Sequence, residues 1–135
     1  MSVYLLDTDV VLTSLFDSSR LASRTREVLS DPGQQRRVSV VSAFEIAVKH
    51  TLGKLPLPAS FDADFDAAFE DLLVQLAADP LDVQLSHALR VRSLPLHHRD
   101  PFDRLLIAQA LEEDLTMVSG DRRFSAYDGL RFMPA

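Results

Sequence analysis

The chain has 135 residues, no cysteine and a formal net charge of −6. This length is typical of one domain that buries enough apolar surface to fold without a disulfide or a structural metal. The lack of cysteine excludes thiolate zinc sites, thiol nucleophiles and disulfide frameworks, and it fits a reducing cytoplasm. The sequence contains neither a signal peptide nor an apolar run of the roughly 20 residues that a membrane span needs, so we expect a cytoplasmic protein with no membrane partner.

The acidic balance by itself argues against a nucleic-acid partner, because phosphate binding favours a basic surface. Two features weaken this objection. Carboxylates gathered around a divalent cation invert the local charge. In addition, 12 of the 14 basic residues are arginine, whose planar guanidinium binds phosphate in bidentate fashion. Charge alone therefore does not decide the class of partner.

Strands and helices alternate in the predicted secondary structure. The hydrophobic pattern predicts short buried strands at residues 3–6, 38–41 and 115–118. It predicts helices at residues 9–16, 23–29, 42–52, 61–76 and 100–113. Such alternation implies a central, mainly parallel sheet with helices on both faces. We therefore expect a single α/β domain over residues 1–135.

Four acidic residues lie at the boundaries of these elements. Asp7 follows the first predicted strand directly, and Asp121 follows the third after two residues. Glu45 and Asp103 lie in the opening turns of predicted helices. Because open α/β sheets bind ligands at the carboxyl ends of their strands, the four carboxylates can converge there. A few carboxylates from separate segments, around one or two Mg²⁺ ions, are what metal-assisted hydrolysis of a phosphodiester requires.

Each acid taken alone also has an ordinary structural explanation. Ser42 and Glu45 match a capping box, in which the glutamate returns a hydrogen bond to the helix cap. Asp100 can cap the helix that Pro101 begins, with Asp103 favoured in the first turn by the helix dipole. Asp121 can cap a short helical turn. These structural roles stay open alongside the metal site.

Four segments of the sequence resemble the motifs of PIN-domain toxins of the VapC type. They are YLLDTDVVL at residues 4–12, SAFEIAVK at 42–49, HRDPFDRLLIAQA at 98–110 and VSGDRRF at 118–124. The third is the most specific. The order and spacing of the four agree with the family over nearly the whole chain.

This resemblance implies a PIN-like fold and an endoribonuclease that depends on Mg²⁺, or on Mn²⁺ in its place. It also implies the toxin of a toxin–antitoxin pair, a homodimer whose cognate antitoxin blocks the site where RNA is cut. By motif, the catalytic and metal-binding set is Asp7, Glu45, Asp103 and Asp121. Thr8 and Ser119 fall where the family often has small hydroxyl residues that support the carboxylates.

The sequence departs from the family's pattern at three positions. Asp9 stands where many relatives have histidine, Phe44 where many have tryptophan, and Gly120 where alanine is common. None of these changes removes an acidic residue. They therefore bear on substrate preference and on the electrostatics of the site.

Basic residues flank the proposed acidic site. Four arginines either pair with its carboxylates or contact RNA phosphates, and both roles stay open: Arg99, Arg104, Arg122 and Arg123. Lys49 lies four residues after Glu45, the spacing of a helical ion pair. His97 and His98 are adjacent and would not face one ligand together, so a loop or core role is favoured for both.

Other classes of protein fit the sequence less well. A calcium loop beginning at Asp62 fails, because alanine occupies its glycine position and leucine its last ligand position. A phosphoacceptor receiver domain needs an aspartate after a central strand and a later lysine, yet Ser42 follows the second predicted strand and no lysine follows Lys54. A catalytically silent PIN-like module that binds RNA or protein remains as the alternative.

Overall fold

Five parallel strands form one sheet in the computed structural model, which describes residues 2–135. The strands are β1 (Val3–Leu6), β2 (Gln35–Ser39), β3 (Ala78–Leu81), β4 (Thr116–Ser119) and β5 (Arg131–Pro134). Their order across the sheet is β3-β2-β1-β4-β5, and each neighbouring pair is parallel. The predicted α/β class with a mainly parallel sheet is confirmed.

Helices connect the strands. They are α1 (Thr8–Phe16), α2 (Ser23–Ser30), α3 (Val40–Thr51), α4 (Ala59–Ala63), α5 (Phe65–Leu76), α6 (Leu85–Arg90) and α7 (Pro101–Glu112). Short 3-10 helices lie at Ser18–Arg20, Val91–Ser93 and Arg122–Ala126. Within residues 2–135, no helix is long and apolar enough to cross a membrane.

Both faces of the sheet are covered, because successive side chains of a strand point to opposite faces. Leu6 and Val118 pack in a core formed with residues of helices α1 to α5. Leu5 and Met117, their neighbours in β1 and β4, pack in a second core formed mainly with α7. The predicted arrangement of helices on both faces is confirmed.

The boundary between β2 and α3 differs from the prediction. The second strand was expected at residues 38–41, but β2 ends at Ser39 and α3 begins at the next residue. The Ser39 hydroxyl accepts a hydrogen bond from the Val41 backbone N–H at 3.0 Å and so caps the helix. The predicted capping box that begins at Ser42 is therefore wrong, because Ser42 already lies inside α3.

A second boundary lies inside the region expected to form one helix at residues 61–76. The structure has two helices there, α4 and α5, which Asp64 separates. The Asp64 carboxylate accepts a hydrogen bond from the Ala67 backbone N–H at 3.1 Å and caps α5. The periodic phenylalanines continue across the break, which is why the hydrophobic pattern alone does not reveal it.

The sequence pattern missed β3 and β5, the two edge strands of the sheet. Each has four residues and contains a proline, Pro80 or Pro134. Proline has no N–H to donate to a strand ladder, so it argues against a central strand. At an edge one side of the strand has no neighbour, and the missing donor is tolerated.

The cap at Ser39 yields a stability prediction. Its hydroxyl also donates to the Oε1 atom of buried Gln109 on α7. Ser39→Ala should lower the free energy of unfolding by about 2 kcal/mol, because it removes a helix cap and leaves a buried acceptor without its donor. Urea denaturation measures this change. The control Ser60→Ala, at an exposed position in α4, should change the free energy of unfolding by less than about 0.5 kcal/mol. Equal stability of the two variants would contradict the capping role of Ser39.

Candidate functional site

The order of the strands reverses between β1 and β4. From β1 the chain winds outward to β2 and β3 on one side, and β4 and β5 lie on the other. Ligands of open parallel sheets bind at the carboxyl edge of such a switch point. Leu6 pairs with Val118 in this register, and the Asp7 backbone N–H donates to the Val118 carbonyl at 3.0 Å. Asp7 therefore emerges beside the end of β4.

Asp7 is buried at this point, with 3% of its surface exposed. Its Oδ1 accepts a hydrogen bond from the Thr8 backbone N–H at 2.7 Å, and its Oδ2 accepts one from the Ser119 hydroxyl at 2.7 Å. These two contacts fix the orientation of the carboxylate. Each carboxylate oxygen has more than one acceptor site, so both oxygens can still bind a cation.

Glu45 lies in the second turn of α3 rather than in its opening turn. The Thr8 hydroxyl contacts the Ser42 hydroxyl at 2.8 Å, which joins α1 to the preceding turn of α3. Glu45 Oε2 accepts from the Lys49 ammonium at 2.6 Å, which is the ion pair expected from the spacing. Glu45 Oε1 is buried, and within the described residues it has no hydrogen-bond partner.

Asp103 and Asp121 meet at a buried histidine. Asp103 lies in the first turn of α7, which Asp100 caps as expected. His98 Nε2 lies 3.0 Å from Asp103 Oδ2 and 2.9 Å from Asp121 Oδ2. The Asp100 backbone N–H donates to His98 Nδ1 at 3.2 Å, which leaves Nε2 as the ring nitrogen that donates to Asp121 Oδ2.

Sequence reasoning missed His98. The residue was treated together with His97, because adjacent side chains do not face one ligand. The structure separates the two rings: His97 packs edge-on against Tyr127, with ring centroids 5.0 Å apart, while His98 is buried beneath the carboxylates. The available signal was the position of His98 at the start of the most specific motif.

Charge repulsion links three of the predicted acids. Burial, followed by the charge of Asp7, raises the pKa of Asp103 to about 8, and Glu45 contributes to the same shift. Burial also raises the pKa of Asp7 to about 6, with further contributions from the charges of Asp9 and Glu45. Asp7 and Glu45 therefore lie close enough to Asp103 to raise its pKa, and we call these three acids the acidic pocket.

Asp121 stands in a different electrostatic environment at the edge of this pocket. The guanidinium of Arg123 donates to its carboxylate, with Nη2 at 2.7 Å from Oδ2, and holds the pKa of Asp121 well below its usual range. The Asp121 carboxylate also caps the 3-10 helix that follows it, as expected. The Nε2 atom of His98 lies between the two acids, hydrogen-bonded to Asp121 Oδ2 at 2.9 Å and 3.0 Å from Asp103 Oδ2.

The four arginines considered as phosphate contacts have different environments. The expectation is wrong for Arg104, which is buried and donates to four backbone carbonyls of the segment 91–98. Arg104 thus holds the loop that carries His98. Arg123 pairs with Asp121. Arg99 and Arg122 are exposed and form no ion pair within residues 2–135.

A family model described as PIN domain matches residues 4–130. The chain belongs to the PIN-domain family. The predicted resemblance is confirmed, and the five-stranded parallel sheet with its acidic switch point is the form that the PIN fold takes here. No curated protein has a sequence that matches this PIN domain significantly.

Solved structures with the same fold include chains of VapBC and of FitAcB. A chain of the DNA-bound VapBC from Salmonella typhimurium has a TM-score of 0.72 and 17% sequence identity, and the match covers 99% of this chain and 98% of that chain. A chain of FitAcB from Neisseria gonorrhoeae has a TM-score of 0.69 and 20% identity, and the match covers 98% of each chain. A chain of VapBC-5 from Mycobacterium tuberculosis has a TM-score of 0.63 and 21% identity, and the match covers 100% of each chain. At these identities the similarity establishes a shared PIN fold over the full length.

The raised pKa values predict how stability varies with pH in metal-free buffer. A carboxyl group whose pKa is raised by folding stabilises the protein when protonated, and this contribution is lost as pH rises through the folded pKa. The melting temperature should therefore fall as pH rises from about 4 to about 6 through Asp7 and from about 4 to about 8 through Asp103, and it should level off above pH 8. Thermal melting in chelator across this range measures the effect. Asp103→Asn should remove the upper part of the fall, and a parent melting temperature that stays flat or rises would contradict the repulsion.

Proposed function

We propose that this PIN-domain protein is a metal-dependent endoribonuclease and the toxin of a toxin–antitoxin pair. The acidic pocket carries the proposal. Three carboxylates from three separate elements converge at the switch point of the sheet, and two of them have raised pKa values because they are buried near one another. Four motifs and the match to the PIN family support a nuclease role for this pocket.

The pocket fits a divalent cation. Mg²⁺ and Mn²⁺ prefer oxygen ligands, and Glu45 Oε1 is a buried oxygen that has no partner among the described residues. A cation would satisfy this atom and relieve the repulsion between Asp7 and Asp103. We propose that the ion is held by Asp7, Glu45, Asp103 and Asp121.

A second set of metal-ligand atoms lies beside this pocket. Ligand atoms of His98, Asp103 and Asp121 lie within 4.8 Å of one another. The Nε2 atom of His98 is already committed, because it is hydrogen-bonded to Asp121 Oδ2 at 2.9 Å. We therefore assign His98 to positioning the acids and not to binding the ion.

Each side chain has a distinct task in this proposal. A bound divalent ion lowers the pKa of an attacking water and stabilises the leaving oxygen during phosphodiester hydrolysis. Ser119 holds the Asp7 carboxylate in place. Lys49 holds one oxygen of Glu45 and leaves the other free. Arg99 and Arg122, which are exposed, are available to contact RNA phosphates.

Substitution of an acid in the pocket tests the nuclease. Asp7→Asn and Asp103→Asn keep the shape of the side chain but remove its charge. RNA cleavage in Mg²⁺ should fall by at least about 100-fold, since loss of one preorganised electrostatic group typically costs about 2.7–4 kcal/mol. Sequencing of new RNA ends after brief expression of each protein measures cleavage and identifies the RNA that is cut.

Two controls separate catalysis from folding. Asp71→Asn, at an exposed position in α5, should cleave like the parent. In chelator above about pH 8, where both acids are ionised in the parent, the Asp7 and Asp103 variants should melt at or above the temperature of the parent, because one repulsive charge has gone. Chelation should abolish cleavage by the parent, and Mg²⁺ or Mn²⁺ should restore it.

A folded Asp7→Asn protein that cleaves RNA at the parent rate would refute the metal site. RNA binding by a parent that never cleaves RNA would favour the catalytically silent PIN-like module.

An antitoxin partner follows from the same pocket. The fold is shared with a chain of the VapBC family of toxin–antitoxin systems from Mycobacterium tuberculosis. An acidic pocket of this kind also accepts a basic side chain, which would take the place of the metal's charge. We propose that a small antitoxin presents such a side chain to the pocket of a homodimer.

Expression of the protein tests this partner. The parent expressed alone should arrest growth, and Asp103→Asn should not, because the arrest requires cleavage. The native protein purified from its own cells should carry a second small protein and should have the mass of a complex built on a dimer by light scattering. Native protein that always purifies alone, combined with normal growth during overexpression, would contradict the proposal.

A further inference from the structure

One aromatic ring at the rim of the acidic pocket has no explanation in the packing of the fold. Phe44 on α3 is 61% exposed. It belongs to neither hydrophobic core among the described residues. Its aromatic contact is with Phe102 on α7, whose ring centroid lies 6.0 Å away at an interplanar angle of 56°.

Phe102 supports this exposed ring from below. Phe102 is partly buried and packs against the core on the α7 face of the sheet. An exposed phenylalanine gains little from burial of apolar surface, so Phe44 does not serve stability. The pair therefore forms a small apolar surface in which Phe102 is packed against the core and Phe44 faces solvent.

The position of the two rings joins this surface to the proposed active site. Phe44 directly precedes Glu45 in the chain, and Phe102 directly precedes Asp103. A phosphate held by an ion in the pocket carries its neighbouring nucleosides with it. One of the attached bases would thus reach the rim that Phe44 and Phe102 form.

We propose that Phe44, supported by Phe102, is a stacking platform for an unpaired nucleobase next to the phosphate that is cut. The proposal deepens the nuclease function on which it rests, because it names the side chain that would hold a base beside the phosphate that is cut. Aromatic side chains stack on any base because every base has a π-face. In a duplex the faces of the bases are already stacked on each other and are not available.

The size and charge of the surface favour a base over a protein segment as its occupant. Two rings are far smaller than the roughly 800 Å² that each partner buries in a standard protein interface. The charges of Asp9 and Asp100 act on Asp103, the neighbour of Phe102 in the chain, so a phosphate there would be repelled without the ion. A neutral base on a neutral ring avoids this repulsion.

Binding of a fluorescent RNA tests the platform. The probe is a 12-nucleotide single strand with one 2-aminopurine, titrated with protein in Ca²⁺ in place of Mg²⁺. Stacking on Phe44 should quench the fluorescence. Phe44→Leu should weaken binding by about 5- to 150-fold, which is the effect expected when one base loses its stacking partner. The same substitution should remove the quenching. Phe44→Trp should retain both, and the same strand in a duplex should bind at least about tenfold more weakly.

The matched control is Phe16→Leu, since Phe16 is 52% exposed at the other end of α1. It should bind the probe like the parent, and both leucine variants should melt like the parent. Equal binding by Phe44→Leu and the parent would overturn the platform, as would an equal loss in Phe16→Leu. A Phe44→Leu protein that binds RNA like the parent but no longer copurifies with the antitoxin would also overturn the platform, because the rings would then belong to the interface with the protein partner.

The same experiment separates this inference from the proposed function. A parent that quenches the probe but cleaves no RNA in Mg²⁺ would refute the nuclease and support the platform. A parent that cleaves RNA, together with a Phe44→Leu variant that binds and cleaves equally well, would support the nuclease and refute the platform.

Discussion

The parallel pairing of β1 with β4 is the constraint on which the proposed site depends. This pairing sets Leu6 opposite Val118, so that Asp7 and Ser119 emerge together at the carboxyl edge of the sheet. Asp7 must then begin α1, and its carboxylate is held by the Thr8 N–H and the Ser119 hydroxyl. The strand register thus buries a charged group where the strand order reverses, and burial raises its pKa.

The counter-charges around the pocket are unequally distributed. Glu45 has Lys49 and Asp121 has Arg123. Within the described residues, Asp7 and Asp103 have no lysine or arginine partner, and they are the acids whose pKa values rise. A divalent cation would neutralise this remaining charge. This local inversion of charge would reconcile a net charge of −6 with the RNA substrate that we propose.

Local sequence patterns predicted the features that depend on local interactions. The first strand, the cap at Asp100, the first-turn position of Asp103 and the α/β class all follow from residue spacing and are confirmed. The convergence of the acids followed from their positions at strand ends, and the structure brings Asp7, Glu45 and Asp103 together.

Contacts between distant parts of the chain explain what the sequence did not reveal. Ser39 caps α3 while it contacts Gln109, 70 residues away. Arg104 is buried because a loop of carbonyls wraps around its guanidinium, which no pattern of polar residues predicts. His98 becomes part of the site through contacts with Asp103 and Asp121, two residues that lie on different elements.

The location of a bound ion tests the central claim most directly. Crystals grown with Mn²⁺ give an anomalous signal that places the ion without reference to activity. We predict that Mn²⁺ binds to the carboxylates of Asp7, Glu45, Asp103 and Asp121. An ion coordinated by the His98 ring, or no ion at the pocket in the presence of millimolar Mn²⁺, would contradict it.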